Sequence, residues 1–261
     1  MTTYEHLLYE QRGPVTIITI NRPERMNAIG PQTHRELVHA WDRFRTDDDA
    51  LVGILTGAGD QAFCAGGDLK AAQAGELAID ASPDDGVLGP SRWTHIYKPT
   101  IAAVNGVAYA GGLEWACWTD LAIADEHATF GVTCRRWNIG LADGGTQRLT
   151  RILGYRRAMD LIITGRVIAA HEAERIGLVN QVVPSGSCLQ RALELADTIA
   201  ALPQPALRTD LEAARTGQGQ PLDEGLRIEA ECFGRSIYAS ETLEGLRRFN
   251  ERDHPDLTPS C

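Results

Sequence analysis

Lys98-Pro-Thr-Ile-Ala-Ala-Val-Asn-Gly-Val-Ala-Tyr-Ala-Gly-Gly-Leu-Glu114 is the stretch on which the reading of the chain turns. Thr100 to Val104 is a short apolar run of the kind that forms a buried strand. Asn105-Gly106 breaks it, and Gly111-Gly112 opens a run, Leu113 to Leu121, with helical spacing. A glycine pair at a helix start leaves backbone N–H groups unpaired and unshielded by any Cβ, with the positive end of the helix dipole behind them. Glu114, three residues beyond Gly111, falls on the same face one turn further in. A donor for a developing oxyanion and a carboxylate able to move a proton would then share one pocket wall. The plainer alternative is a glycine pair that only permits close packing, with Glu114 as a solvated first-turn acid.

Upstream, His6 to Glu10 and Val15 to Ile20 read as strands joined by the turn Arg12-Gly13-Pro14. Helical periodicity follows through Leu37, Ala40, Trp41 and Phe44, and Leu51 to Leu55 reads as the next buried strand. A second glycine site, Ala62-Phe63-Cys64-Ala65-Gly66-Gly67-Asp68-Leu69-Lys70, sits between a strand and a helix and also offers free N–H groups. If the two sites converge they form a two-donor oxyanion hole. Residues 74–97 are polar and irregular, which suits either a lid or a surface insertion. Downstream, Leu121 to Ala124, Thr129 to Val132 and Val179 to Val183 are strand candidates, and Gly144-Gly145-Thr146 opens an amphipathic helix. From Ser187 the pattern is helical only, with breaks at Pro203, Pro205 and Gly217 to Pro221. This order predicts an α/β core over 1–190 and a helical region over 191–261 whose apolar positions need a partner surface.

Composition narrows the function classes. A net charge of −10 with a pI near 5.2 leaves no basic stripe for nucleic acid. Six scattered cysteines without CxxC or CxH spacing read as reduced thiols, not a disulfide framework or zinc site, and with no signal core the chain is expected to be cytoplasmic, away from membranes. Gly57-Ala-Gly59 lacks the third glycine of a dinucleotide fingerprint, no Gly-x-Ser-x-Gly occurs, and the seven histidines form no ligand cluster.

Taken together, the motifs resemble the crotonase, or enoyl-CoA hydratase/isomerase, superfamily. The likeness runs through Asn21-Arg-Pro-Glu-Arg-Met-Asn-Ala28, Phe63 to Leu69, Lys98 to Glu114, Phe130-Gly131, Gly144-Gly-Thr-Gln-Arg-Leu149, Ala173-Glu-Arg-Ile-Gly-Leu-Val179 and Gly245-Leu-Arg-Arg-Phe249. It implies a spiral of ββα units followed by helices that build homotrimers or homohexamers. It also implies an acyl-CoA thioester substrate of fatty acid metabolism, with no metal and no cofactor beyond the coenzyme A of that substrate. The family's oxyanion donors fall on Gly67 and Gly111, and its first catalytic glutamate on Glu114. Arg25, Ala28, Ala65, Gly66, Asp68, Leu69 and Lys70 match positions that hold coenzyme A, and Trp137 packs or shapes the acyl pocket.

One position departs from that pattern. The resemblance implies a second hydratase glutamate four residues after Phe130, where this chain has Cys134. A thiol does not replace a carboxylate that holds and activates water, and a cysteine here is expected to be inert packing more than a nucleophile activated by Arg135 or Arg136. Asp143 is the candidate for the missing acid/base, or else the cap of the helix at Gly144-Gly145. The expected activity is enoyl-CoA hydration. Isomerisation or carbon–carbon chemistry through Glu114 and Asp143 is the alternative within enzymes, and an acyl-CoA-binding protein that has lost hydration is the alternative outside them.

Overall fold

A computed structural model describes residues 3–76 and 84–251. The first of two compact units, Met1–Ile199, holds the strands, and the second, Ala200–Cys261, is helical.

Strand formation follows the buried apolar runs. β1 (Leu7–Arg12) and β2 (Val15–Ile20) form an antiparallel hairpin. To it are added, in parallel, β3 (Val52–Gly57), β5 (Thr100–Val104), β7 (Leu121–Asp125) and β10 (Gln181–Val183), giving the order β1-β2-β3-β5-β7-β10. A second sheet takes the short strands β4 (Ala62–Cys64), β6 (Val107–Tyr109), β8 (Thr129–Gly131) and β9 (Val167–Ala169), in that order. Each turn of the chain therefore gives one strand to each sheet, β3 then β4, β5 then β6, β7 then β8: a spiral of ββα units. Sequence reading missed β4, β6 and β9, while the equally short β8 and β10 fall within the apolar runs expected for them.

Asn105 makes the corner where β5 leaves the first sheet for the second. Its Nδ2 donates to the carbonyls of Gly57 (2.8 Å) and Gly59 (2.7 Å), and its Oδ1 accepts the Gly57 N–H (3.1 Å), so successive corners are stitched together. α1 (Pro31–Thr46) lays Trp41 and Phe44 over β3, where a Cβ on Gly53 would come within 3.0 Å of both rings. α2 (Leu69–Gln73) follows β4, and α3 (Gly111–Trp118) follows β6. Every residue of α3 is buried, and its Trp115 and Trp118 join Trp41 in one aromatic cluster.

α4 (Gly145–Leu153), α5 (Tyr155–Thr164), α6 (Ala170–Ile176) and α7 (Cys188–Ala200) complete the first unit. α7 belongs there because the Asp125 carboxylate accepts the N–H groups of Ser187 (3.0 Å) and Cys188 (2.9 Å) at its start. In the second unit α8 (Gln204–Gly217) and α9 (Leu222–Ser236) pair, with Arg235 on Glu212, and α10 (Ser240–Asn250) follows. No helix among the described residues is long and apolar enough to cross a membrane.

Gly112 sets how closely α3 approaches β4, since a Cβ there would collide with the Cys64 carbonyl. Backbone cannot yield as a side-chain tip can, so Gly112→Ala should cost about 2–3 kcal/mol and lower the melting midpoint by roughly 5–10 °C. Gly140→Ala, with nothing within 4 Å of the added methyl, is the control for calorimetry and should melt close to wild type.

Candidate active site

The two glycine sites abut. Gly66 has φ +95°, and a Cβ there would lie 3.0 Å from the Gly111 nitrogen and 3.0 Å from the Tyr109 carbonyl, so only glycine lets the loop reach the start of α3. Ile29 bridges Gly67 in parallel, donating to the Gly66 carbonyl (2.8 Å) and accepting from Asp68 N–H (2.9 Å). That register turns the Gly67 N–H away from Ile29. Among the described residues no hydrogen bond takes the N–H of Gly67 or of Gly111. Ala110, just before Gly111, has φ 50° and ψ −117°, a strained conformation for a residue with a Cβ and of a kind that collects at functional sites.

Gly67 and Gly111 line one cavity of about 250 Å³ together with Ala65, Leu69, Glu114, Cys134, Trp137 and Asp143. Glu114 is 2% exposed, so it is not the solvated first-turn acid of the plainer reading. Its Oε1 accepts the N–H groups of Asp143 (2.9 Å) and Gly145 (2.7 Å). Burial, and then the charge of Asp143, push the Glu114 carboxyl up to about 7, against the pull of the Gly145 and Asp143 N–H groups. A group that titrates there is suited to give and take protons at neutral pH.

Asp143 is also 2% exposed. It does not cap α4: the N-cap is Gly144, with no side-chain cap bond, and Gly144 at φ 97° turns the chain into the helix. Instead Asp143 Oδ1 accepts the N–H groups of Val87 and Leu88, each at 2.9 Å, and the Ser91 hydroxyl. An oxygen with three donors has no lone pair left for a substrate proton, so proton transfer by Asp143 would have to use Oδ2.

Cys134 is buried on the cavity wall. Burial and the nearby charge of Glu114 raise its thiol, and Arg135, whose Nε donates to the Ile162 carbonyl, lowers it by less. The side chain is therefore a neutral thiol and no activated nucleophile. Trp137 is 69% exposed and forms rim, not packing.

The expected coenzyme A positions divide. Leu69 and Ala72 of α2 face this cavity, whereas Arg25, Asp68, Lys70 and Ala71 line an adjoining open cleft of about 460 Å³ with Arg22, Arg35 and His6. Asp68 holds that cleft's shape, accepting from Arg22 (3.0 Å) and from the N–H groups of Lys70 and Ala71 at the start of α2. Gly66 is buried beneath the loop, and Ala28 is half-buried with its carbonyl on Arg22, so neither lines either cavity. Sequence reading missed Val87, Leu88 and Ser91. The one signal was an apolar pair, Val87-Leu88, between two glycines inside a polar stretch. Among the described residues no cluster of His, Cys, Asp or Glu is arranged to hold a metal ion.

The family model described as enoyl-CoA hydratase/isomerase matches residues 10–259. Enoyl-CoA hydratase EchA19 of Mycobacterium tuberculosis is 40% identical over 256 residues, 96% of this chain and 95% of that protein. A short-chain-enoyl-CoA hydratase of Clostridium acetobutylicum is 35% identical, covering 95% of each chain. Among solved structures, the enoyl-CoA hydratase of M. tuberculosis H37Rv superposes with a TM-score of 0.89 at 34% identity, covering 96% of this chain and 98% of that one.

A carboxyl raised in the folded state from 4.5 to about 7 favours folding below the lower value, and that advantage is lost as pH climbs through the higher one. Glu114 should therefore destabilise the fold by roughly 3 kcal/mol at about pH 8 relative to about pH 4. Urea unfolding of wild type and Glu114→Gln at both pH values checks this: the variant should gain on wild type by that amount on going up in pH. An unchanged difference would show that Glu114 titrates like an exposed acid.

Proposed function

The chain belongs to the enoyl-CoA hydratase/isomerase family, and we propose on that premise that it hydrates a 2-enoyl-CoA through an oxyanion-stabilised thioester enolate. The observation that carries the proposal is a buried carboxyl raised to about 7 in the same cavity as two unpaired glycine N–H groups.

In this reading the thioester oxygen sits between the N–H groups of Gly67 and Gly111. Water adds to the β-carbon and its proton passes to Glu114, while the double-bond electrons move to the thioester oxygen. The enolate collapses as the α-carbon takes a proton from Glu114. Each backbone donor is worth on the order of 3 kcal/mol to that oxyanion. Asp143 Oδ2, the second carboxylate, holds the attacking water by accepting one of its hydrogen bonds, and its charge adds to burial in keeping Glu114 protonatable near neutrality. Coenzyme A enters as part of the substrate, and the basic cleft of Arg22, Arg25, Arg35 and Lys70 suits its phosphates. No further cofactor is called for by these steps.

Cys134 favours a second reading. With a neutral thiol where hydratases are expected to hold water by a second glutamate, Glu114 alone is enough to carry a proton between the α- and γ-carbons, as in an enoyl-CoA isomerase. The second unit exposes Leu222, Leu226, Phe233, Tyr238 and Phe249, and a homotrimer or homohexamer would cover such side chains.

Turnover on a panel of 2-enoyl- and 3-enoyl-CoAs separates the two reactions. On the best substrate Glu114→Gln should lose about 10² to 10⁴ in rate, with a comparable loss for Asp143→Asn. Cys134→Ala should stay within about tenfold of wild type, a packing defect only. A dead Cys134→Ala beside an active Asp143→Asn would reverse the assignment. Light scattering at micromolar concentration should give at least a trimer, and a stable monomer would refute the assembly.

A further inference from the structure

Segment 84–91 has no helix or strand, yet its backbone is tied down at several points. Val87 and Leu88 N–H groups and the Ser91 hydroxyl meet on one oxygen of Asp143. The Gly89 N–H donates to His34 Nδ1 (2.8 Å), and the Trp115 indole N–H donates to the Leu88 carbonyl (2.9 Å). Ser91 is fully buried, and Gly86 at φ +98° leaves room for its hydroxyl, which a Cβ there would strike.

These anchors aim one side chain. Leu88 lies against both glycines: a Cβ on Gly111 would collide with its Cδ1, and a Cβ on Gly67 would lie 3.5 Å from its Cδ2. Leu88 is itself buried and shares the cavity wall with Glu114.

We propose that Ser91 is a positioning residue which, through Asp143, fixes segment 86–91 so that Leu88 forms an apolar roof over the two glycine N–H donors and keeps bulk water from them and from Glu114. The inference rests on Gly67 and Gly111 being the oxyanion donors. Donors in a wet pocket are already satisfied by water, whereas donors under a dry roof wait for the charge that develops in the transition state. The roof therefore acts on kcat more than on KM.

Ser91→Ala removes one donor to Asp143, and Leu88→Ala opens the roof without touching that network. Each should lower kcat by about ten- to a hundredfold, the cost of a small misplacement in a preorganised site, with KM nearly unchanged and the fold intact by circular dichroism. The acid limb of the pH–rate profile should move to lower pH in both, because Glu114 regains solvent; of the groups around it Asp143 carries the charge that acts on Glu114, Arg148 donates to the Asp143 carbonyl, and Cys134 and Cys117 are neutral thiols raised by burial, and both variants keep all four. The double variant should be no worse than the poorer single one, since both remove the same roof. Amide exchange at Val87 and Leu88 should be slow in wild type and faster in Ser91→Ala. This arm reads the latch without any turnover, so a wild type inert on every acyl-CoA overturns the functional reading, whereas unchanged exchange in Ser91→Ala overturns the latch. Faster exchange with an unmoved kcat and pH limb, or single losses that multiply in the double variant, would equally overturn the roof.

Discussion

A carboxylate buried as deeply as Glu114 exists only where the protein supplies the hydrogen bonds that water would have made, and that requirement organises the site. Two backbone N–H groups, from Asp143 and Gly145, converge on one oxygen. Their convergence dictates the local sequence. Gly145 must lack a side chain, because a Cβ there would sit 2.8 Å from Glu114 Cγ, and Gly144 must take the left-handed turn that leads into α4. Asp143, held by its own N–H, then points its carboxylate at segment 87–91. One buried acid thus fixes a turn, and the turn fixes a loop.

Legibility in the sequence followed length and locality. β2 and β5 lie where their apolar runs place them, α3 stops at Trp118, short of the expected Leu121, which opens β7, and the two glycine sites and Glu114 stand out because a glycine at a strand-to-helix turn and an acid one turn later are local patterns. The three-residue strands β4, β6 and β9 are held by register with neighbours far along the chain, and no local pattern announces them. Leu88 and Ser91 were unreadable for the same reason. Their contacts are with Asp143 and Gly111, 52 and 23 residues onward, and nothing within 84–91 itself shows what it faces.

Asp143 shows how a residue type can be legible while its task is not. An acid before Gly144-Gly145 suits a cap or a proton carrier, and a sequence has no means to separate the two. The hydrogen bonds exclude the cap: Oδ1 is occupied by segment 87–91, and the helix start is satisfied by Glu114 instead. Cys134 is the converse case. Two arginines follow it in sequence, but Arg135 is turned to the Ile162 carbonyl, and burial beside Glu114 raises the thiol. The charge of Arg135 still acts on the thiol, but burial and Glu114 outweigh it.

The five residues of α2 show how the proposed chemistry could draw on remote binding. Leu69 and Ala72 face the cavity of Glu114, while Lys70 and Ala71 face the basic cleft. The helix start is clamped by Asp68, itself paired with Arg22 in the cleft wall and bound through its backbone to Ile29. Anionic groups drawn to Arg22, Arg25 and Lys70 would therefore be anchored on the same rigid piece that carries Gly67, one residue before Asp68. Binding energy from the non-reacting end of a coenzyme A thioester would then hold the carbonyl against its donors, and it would be realised as turnover, not merely as affinity.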